Sequence, residues 1–227
     1  MEVVRKEFEE LRSKLEEYTG NPITDEALRR AIATYNANRQ VLAQLARLRA
    51  SNPRLLSARE FLEIILAGMV MPKDEHSVMI RQVLEASGTR KELPLGKARV
   101  LVTGSVVDDP SLLQLIEDSG AMVVADDLCT GSRYFDTLAP EDGDPLRALA
   151  ESYFNRIFCP CRLPFGRRKE RLLKMVDDYR VEGVIFLLQK FCDPHYWDYP
   201  ALQKALEDRG IPVLLVECEH RMKSVGQ

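Results

Sequence analysis

The feature that most constrains the fold is a set of four short apolar runs that alternate with helical patterns after Pro94. The runs are ARVLVTGS (98–105), AMVVADD (121–127), EGVIFLLQ (182–189) and IPVLLVECE (211–219). The helical patterns cover 110–119, 144–157, 166–180 and 196–208. Strands that alternate with helices form a parallel sheet covered on both faces. The right-handed crossover rule and the usual doubly wound arrangement predict the strand order 2-1-3-4.

Residues 1 to about 92 carry a different pattern, in which apolar residues recur at helical spacing. Thr24 is a good N-cap for a long helix over about 25–50. Ser57 and Glu60 resemble a capping box and start a third helix. A fourth helix is predicted over about 73–88.

The two patterns predict an α/β protein, with an N-terminal helical region at 1–94 and a Rossmann-like domain with a four-stranded parallel sheet at 95–227. A formal charge of −3 with no basic block argues against nucleic acid as the main partner. The charged N-terminus lacks the core of a signal peptide, and no apolar run is long enough to span a bilayer. A cytoplasmic protein without a membrane partner is therefore expected.

The predicted topology brings several reactive side chains to one edge of the sheet. In doubly wound sheets, ligands bind outside the carboxyl ends of the strands, where the strand order reverses. That point lies here between the first and third strands. The residues expected around it are Gly104, Ser105, Asp127, Cys129, Lys190, Cys192 and Cys218. Three of the five cysteines are in this set, which favours a site over chance placement.

The stretch QKFCDPHYWDYP (189–200) places Cys192 in the loop after the third strand. Its role stays open between three interpretations. A half-buried core cysteine is the plainest. A ligand to a metal or to an iron–sulfur cluster is the main functional alternative. A nucleophile would need a base, and His195 is the nearby candidate in the sequence.

The stretch DDLCTGSRYF (126–135) begins with two adjacent carboxylates, which are costly to bury without partners. Arg133 is close enough in sequence to pair with one of them, and Gly131 allows a tight turn. We interpret this stretch as a loop held by an Asp–Arg pair, as one wall of the crevice, or as both.

Three other motifs carry weaker signals. CPC (159–161) lacks the spacing of common zinc motifs and is interpreted as structural, with Cys159 a candidate for the edge of the site. TGS (103–105) lacks the full dinucleotide fingerprint and a Walker lysine, which argues against ATP or NAD binding. GRRKER (166–171) is interpreted as the solvated start of a helix or, alternatively, as a contact for an acidic partner or a coenzyme A phosphate.

Several segments together resemble the 2-hydroxyacyl-CoA dehydratase family, which also includes subunits of benzoyl-CoA reductase. The segments are LEEYTGNPITDEALRRAIATYNANR (15–39), VLVTGS (100–105), LIEDSGAMVVADDLCTGSRYF (115–135), DPLRALAESYFNRIFCPCR (144–162) and EGVIFLLQKFCDPHYWDYPALQKALEDRGIPVLLVE (182–217). They occur in family order, and the combination of DDLCTG with KFCD after a GVIF strand is specific.

The resemblance implies an oxygen-sensitive heterodimeric enzyme of anaerobes, which forms an enoyl-CoA through a ketyl radical anion or carries out the related ring reduction. It implies a 4Fe-4S cluster held by cysteines and an acyl-CoA substrate. It also implies a second dehydratase subunit and a separate ATP-dependent iron–sulfur activator. Cys192 in KFCD matches the family's C-terminal cluster ligand, and Cys129 and Cys218 are weaker candidates.

Subunits of that family are longer and carry their other cluster cysteines in an upstream half. The chain is therefore expected to be a fragment, a truncated product or a stand-alone half, and to be incomplete as an enzyme by itself. Two other functions stay open. One is a non-catalytic scaffold that binds a partner subunit through residues 1–92. The other is an electron-transfer component that acts on another substrate.

Overall fold

A computed structural model describes residues 2–94, 96, 98–156, 159–162 and 164–219. The helices in these residues are α1 (Glu2–Thr19), α2 (Asp25–Ser51), α3 (Ala58–Val70), α4 (Lys73–Ala86), α5 (Pro110–Asp118), α6 (Ser132–Phe135), α7 (Pro145–Asn155), α8 (Phe165–Asp178) and α9 (Asp193–Glu207), with a 3₁₀ turn at Ser87–Thr89. The strands are β1 (Ala98–Gly104), β2 (Ala121–Asp127), β3 (Gly183–Gln189) and β4 (Val213–Cys218).

The four strands form one parallel sheet in the order β2-β1-β3-β4, which confirms the predicted order. On one face, α8 and α9 pack over a core that includes Leu101, Phe186 and Leu188. On the other face, α3 and α5 pack over Val102 and Val123. Because both faces are covered, each strand is apolar along most of its length instead of alternating between apolar and polar residues.

The predicted helix starts near the N-terminus are confirmed. The Thr24 side chain accepts a hydrogen bond from the N–H of Ala27 at the start of α2. At α3, the Ser57 side chain accepts from the N–H of Glu60, and the Glu60 side chain accepts from the N–H of Ser57. Helices α2, α3 and α4 enclose a core of their own around the fully buried Leu42.

The helical region also packs against the sheet. Ala58 and Leu62 of α3 belong to the core beneath β1 and β2, and α2 packs beside the edge strand β2. The division into two domains at residue 94 stays a prediction. Within the described part of the chain, no helix combines the length and the apolar character that crossing a bilayer requires.

Two local features differ from the expectation. Helix α9 begins at Asp193 instead of at residue 196. Pro194 fits its first turn, because a proline there has the right φ and lacks an N–H that would have no helical partner. The stretch after β2 contains the short helix α6, which follows Gly131 and was expected to be a plain loop.

The capping box yields a first prediction. Replacing Ser57 with Ala removes one acceptor for the N–H groups of α3, and we expect the free energy of unfolding to fall by about 1 kcal/mol. Urea denaturation measures this loss. The control is Ser13→Ala, an exposed serine within α1, which should change the stability by less than about 0.5 kcal/mol. Equal losses in the two variants would contradict the role of the cap.

Candidate functional site

A buried carboxylate between two arginines organises the carboxyl edge of the sheet. Asp127 ends β2 and is 8% exposed. The guanidinium of Arg133 donates to both of its oxygens, with Nη2 at 2.7 Å from Oδ2 and Nε at 3.0 Å from Oδ1. Arg171 of α8 donates to Oδ1 at 3.1 Å. The Asp–Arg pair expected from the sequence is therefore present, with a second cation that was not expected.

The charges of this cluster fix its protonation states. Burial alone would raise the pKa of Asp127, but Arg133 and Arg171 outweigh it and hold that pKa well below its usual range. Burial lowers the pKa of Arg133, and the contact with Asp127 outweighs burial and raises it. Both groups are therefore charged at neutral pH, and the pair forms a rigid ionic link between the end of β2 and α6.

Arg133 extends the cluster to three other elements. Its Nη1 donates to the carbonyl of Gly104 at 3.0 Å and to the sulfur of Cys129 at 3.6 Å. The same atom lies 3.4 Å from Nε2 of His195 in the first turn of α9. Because a guanidinium can only donate, this ring nitrogen of His195 is the acceptor. One side chain thus joins the ends of β1 and β2 to α9.

His195 is held in its neutral form. Burial and the neighbouring Arg133 lower the pKa of His195 to about 4. The lone pair on Nε2 points at a fixed cation and is not available to a thiol. Cys192 meets His195 through its backbone carbonyl, which accepts from the N–H of His195 at 3.0 Å. This geometry does not support the interpretation in which His195 activates Cys192 as a nucleophile.

Four thiols lie at this edge of the sheet. Burial raises the pKa of Cys129, and Cys159 is close enough to contribute to the rise. The neighbouring Cys159 raises the pKa of Cys161, and Cys192 adds to that effect. The CPC motif, which was interpreted from the sequence as structural with Cys159 a candidate for the edge of the site, therefore reaches the loop of Cys192. Cys192 itself is half-buried at the start of α9.

The other expected residues are less clustered. Cys218 is 3% exposed and packs into the core on the face covered by α3 and α5. The ammonium of Lys190 pairs with Glu219 at the surface, at 2.8 Å. Ser105 is buried, and its hydroxyl accepts from the N–H of Gln189 at 2.9 Å, which ties the residue after β1 to the end of β3.

Gly104 has a backbone conformation that favours glycine, with φ at +147°. A Cβ built on this residue would lie 2.0 Å from the carbonyl oxygen of Leu187 in β3. Beside this close contact between β1 and β3, Asp127, Arg133 and His195 line a small space of about 20 Å³. A space of that size holds about one water molecule.

Sequence reasoning missed Arg168 and Arg171, which belong to the basic run interpreted as solvated. Arg168 is buried and donates to both oxygens of Asp198 of α9, at 2.6 and 3.0 Å. Their spacing in the sequence could have indicated that both face the protein, because residues three apart lie on the same side of a helix. Arg167, next to Arg168 in the sequence, is exposed.

The residues present do not fit a complete cluster site. Within the described residues, no three side chains of histidine, cysteine, aspartate or glutamate are grouped so that they could hold a metal ion. The described residues can therefore contribute part of a ligand set at most.

Comparison with known proteins gives a clear result at the level of the family. A family model described as "2-hydroxyglutaryl-CoA dehydratase, D-component" matches residues 1–227. The chain is 33% identical, over 94% of its length, to the "(R)-phenyllactyl-CoA dehydratase beta subunit" of Clostridium sporogenes. It is 30% identical, over 97% of its length, to the "(R)-2-hydroxyglutaryl-CoA dehydratase, subunit beta" of Acidaminococcus fermentans.

A third relative has a different activity in its name. The chain is 30% identical, over 92% of its length, to one of the subunits of the benzoyl-CoA reductase of Thauera aromatica. The matched parts cover 57% of the Clostridium protein, 59% of the Acidaminococcus protein and 55% of the Thauera protein. The chain thus spans less than two thirds of the length of these relatives.

The central carboxylate yields a second prediction. Asp127→Asn leaves two largely buried guanidinium groups without their anion, and we expect a loss of about 3 kcal/mol in the free energy of unfolding. Urea denaturation at neutral pH measures it. The control Asp118→Asn changes an exposed carboxylate at the end of α5 and should cost less than about 0.5 kcal/mol. An Asp127→Asn protein as stable as this control would show that the cluster is not needed for the fold.

The neutral histidine yields a third prediction, on pH. The pKa of His195 is lowered from 6.5 to about 4 on folding, so the unfolded chain takes up this proton first as the pH falls. Its share of the stability is complete above pH 6.5 and declines until about pH 4, by about 3 kcal/mol in total. His195→Gln should lack this part of the decline. Denaturation series at several pH values test it, and parallel profiles for the two proteins would contradict it.

Proposed function

Since this chain belongs to the family of the 2-hydroxyglutaryl-CoA dehydratase D-component, we propose that it is part of a dehydratase-type subunit that removes water from a 2-hydroxyacyl-CoA to give an enoyl-CoA. The observation that carries the proposal is the family match over residues 1–227. Dehydration is preferred to ring reduction because the family description and two of the three relatives above have dehydratase in their names.

The partners of the whole protein are part of the same proposal. Two of the relatives are named as beta subunits and the third as one subunit of a reductase, which supports an assembly with at least one other dehydratase subunit. We propose an acyl-CoA as the substrate, and a separate ATP-dependent iron–sulfur protein as the activator that supplies the electron. These expectations come from the family resemblance of the sequence.

Within this function, the chain's own residues build one wall of the site. The ion pair of Arg133 with Asp127 fixes the loop after β2 against the end of β1. We propose that Cys192 contributes one ligand to a 4Fe-4S cluster and that the remaining ligands lie outside the described residues. Its half-buried position at the sheet edge, near the thiols of Cys159 and Cys161, supports this role. Cys218 packs into the core on the face of the sheet covered by α3 and α5, and it is not proposed as a ligand.

A second candidate function is a non-catalytic partner subunit. It is favoured by one observation, namely that the described residues contain no group of three or more side chains able to hold a metal ion. Such a subunit would bind its dehydratase partner and hold no cluster.

The fourth prediction separates these two functions. The chain, purified without oxygen and reconstituted with iron and sulfide, is assayed for bound iron and acid-labile sulfide, both alone and with a dehydratase partner subunit. We expect iron to bind in the presence of the partner and Cys192→Ser to lose most of it. The matched control is Cys161→Ser, an exposed thiol close to Cys192, which should retain its iron. Enoyl-CoA formation from a 2-hydroxyacyl-CoA, with the activator, ATP and a reductant added, tests the reaction itself.

Each result decides between the candidates. A Cys192→Ser protein with as much iron as the wild type would remove Cys192 from the ligand set. No iron in any preparation would favour the non-catalytic partner subunit. Iron that depends on Cys192, together with enoyl-CoA formation, would support the dehydratase.

A further inference from the structure

A large open cleft lies between α2, the edge strand β2 and α8, and it shares Arg171 with the crevice described above. Its volume is about 470 Å³. That is within the range of pockets that bind small organic ligands. The floor is formed by apolar and aromatic residues, among them Phe61, Met175 and Tyr179. The site at the end of the sheet does not account for this cleft.

The cleft is positively charged although the chain as a whole is negative. Five cationic side chains and three carboxylates line it. Two of the cations are paired with carboxylates of the lining, because Arg171 binds Asp136 as well as Asp127, and Lys174 binds Asp178 at 2.7 Å. Among the described residues, Arg47 and Arg167 have no carboxylate within ion-pair distance, and both are exposed. An excess of cationic side chains that are not neutralised by the protein favours an anionic ligand.

Arg49 is the most informative residue in the lining. It is 2% exposed, which is rare for a cation that forms no hydrogen bond with a carboxylate of the described residues. Its Nη1 donates to the carbonyl of Val123 in β2, and its guanidinium lies 5.0 Å from the centre of the Phe61 ring. Its Nε has no hydrogen-bond partner among the described residues. The link to β2 accounts for one donor of this side chain. Asp126 and Glu117 lie near enough to offset part of its charge, so the cleft keeps a buried cation that is only partly neutralised.

The positive surface continues beyond the cleft. An adjoining hollow of about 520 Å³ shares Arg47, Asp178 and Tyr179 with it and adds Arg99 and Arg180. A single small anion would need only a few of these cations. A long ligand with more than one phosphate would use cations spread along both spaces.

We propose that this cleft binds a phosphate monoester attached to an organic group, with Arg47 and Arg167 as the exposed cations that face the phosphate and Arg49 as a buried cation in the lining. The aromatic and apolar floor around Tyr179 contacts the organic part. Two sources share this chemistry, namely the ribose phosphate of coenzyme A and a free nucleotide or inorganic phosphate. The first of these sources rests on the proposed function, because an acyl-CoA substrate would bring this phosphate.

Isothermal titration of the chain at low salt tests the proposal. The probes are coenzyme A, dephospho-coenzyme A, AMP, inorganic phosphate and, as a probe without phosphate, pantetheine. The variants are Arg47→Gln and Arg167→Gln, whose exposed side chains are not needed for packing. We expect each to weaken phosphate binding by about tenfold, the loss of one charged contact. The control Arg81→Gln removes an exposed cation that does not line the cleft and should bind as the wild type does.

The probes distinguish the two sources. Coenzyme A that binds at least tenfold more tightly than dephospho-coenzyme A would support the site with an acyl-CoA as its source. AMP and inorganic phosphate that bind as tightly as coenzyme A, with the same losses in the variants, would support the site with free phosphates as its source.

Three results would overturn the proposal: no phosphorylated probe binds, both variants bind like Arg81→Gln, or pantetheine binds as tightly as coenzyme A. These results are independent of the enoyl-CoA assay. Dehydration without phosphate binding in the cleft would overturn the inference and leave the proposed function standing. Phosphate binding by a chain that neither supports dehydration nor holds iron would support the inference and contradict the proposed function.

Discussion

The structure at the carboxyl edge of the sheet depends on one buried anion. Asp127 is placed by β2, yet it binds Arg133 of α6 and Arg171 of α8. Arg133 then reaches Gly104 of β1 and His195 of α9. Two cations around one anion offset the cost of burying Asp127 and Arg133, while Arg171 is half-buried. The loops that form the candidate site are therefore fixed by charge, while the sheet below them is fixed by apolar packing.

Much of the fold could be predicted from the sequence, because its signals are local and consistent. The four apolar runs and the helical patterns between them indicated the order of the strands, and the caps at Thr24 and Ser57 indicated two helix starts. The features that the sequence did not predict depend on contacts between distant parts of the chain or on very short elements. Arg171 is recognisable as a partner of Asp127 only once α8 is known to lie over β2. The short helix α6 is too brief to have a helical period of its own.

The site was less predictable than the fold, for a geometrical reason. The end of a strand tells which edge of the sheet a residue reaches, but not which face it occupies. Cys218 and Cys192 both lie at strand ends on the same edge, yet Cys218 packs into the core under α3 and α5. Cys159 begins a turn in which its carbonyl accepts from the N–H of Arg162, and its approach to Cys129 could not be inferred from spacing. The roles assigned to these thiols and to Lys190 stay predictions.

The packing of α2 beside β2 has a consequence for assembly. A parallel sheet can be extended by another strand only at an edge whose backbone is free to pair. On the β2 side, α2 lies along that edge and Arg49 takes up the carbonyl of Val123. Among the described strands, β4 has a neighbour on one side only. A strand supplied by another segment or another subunit would therefore join beside β4, so that the sheet can grow in one direction.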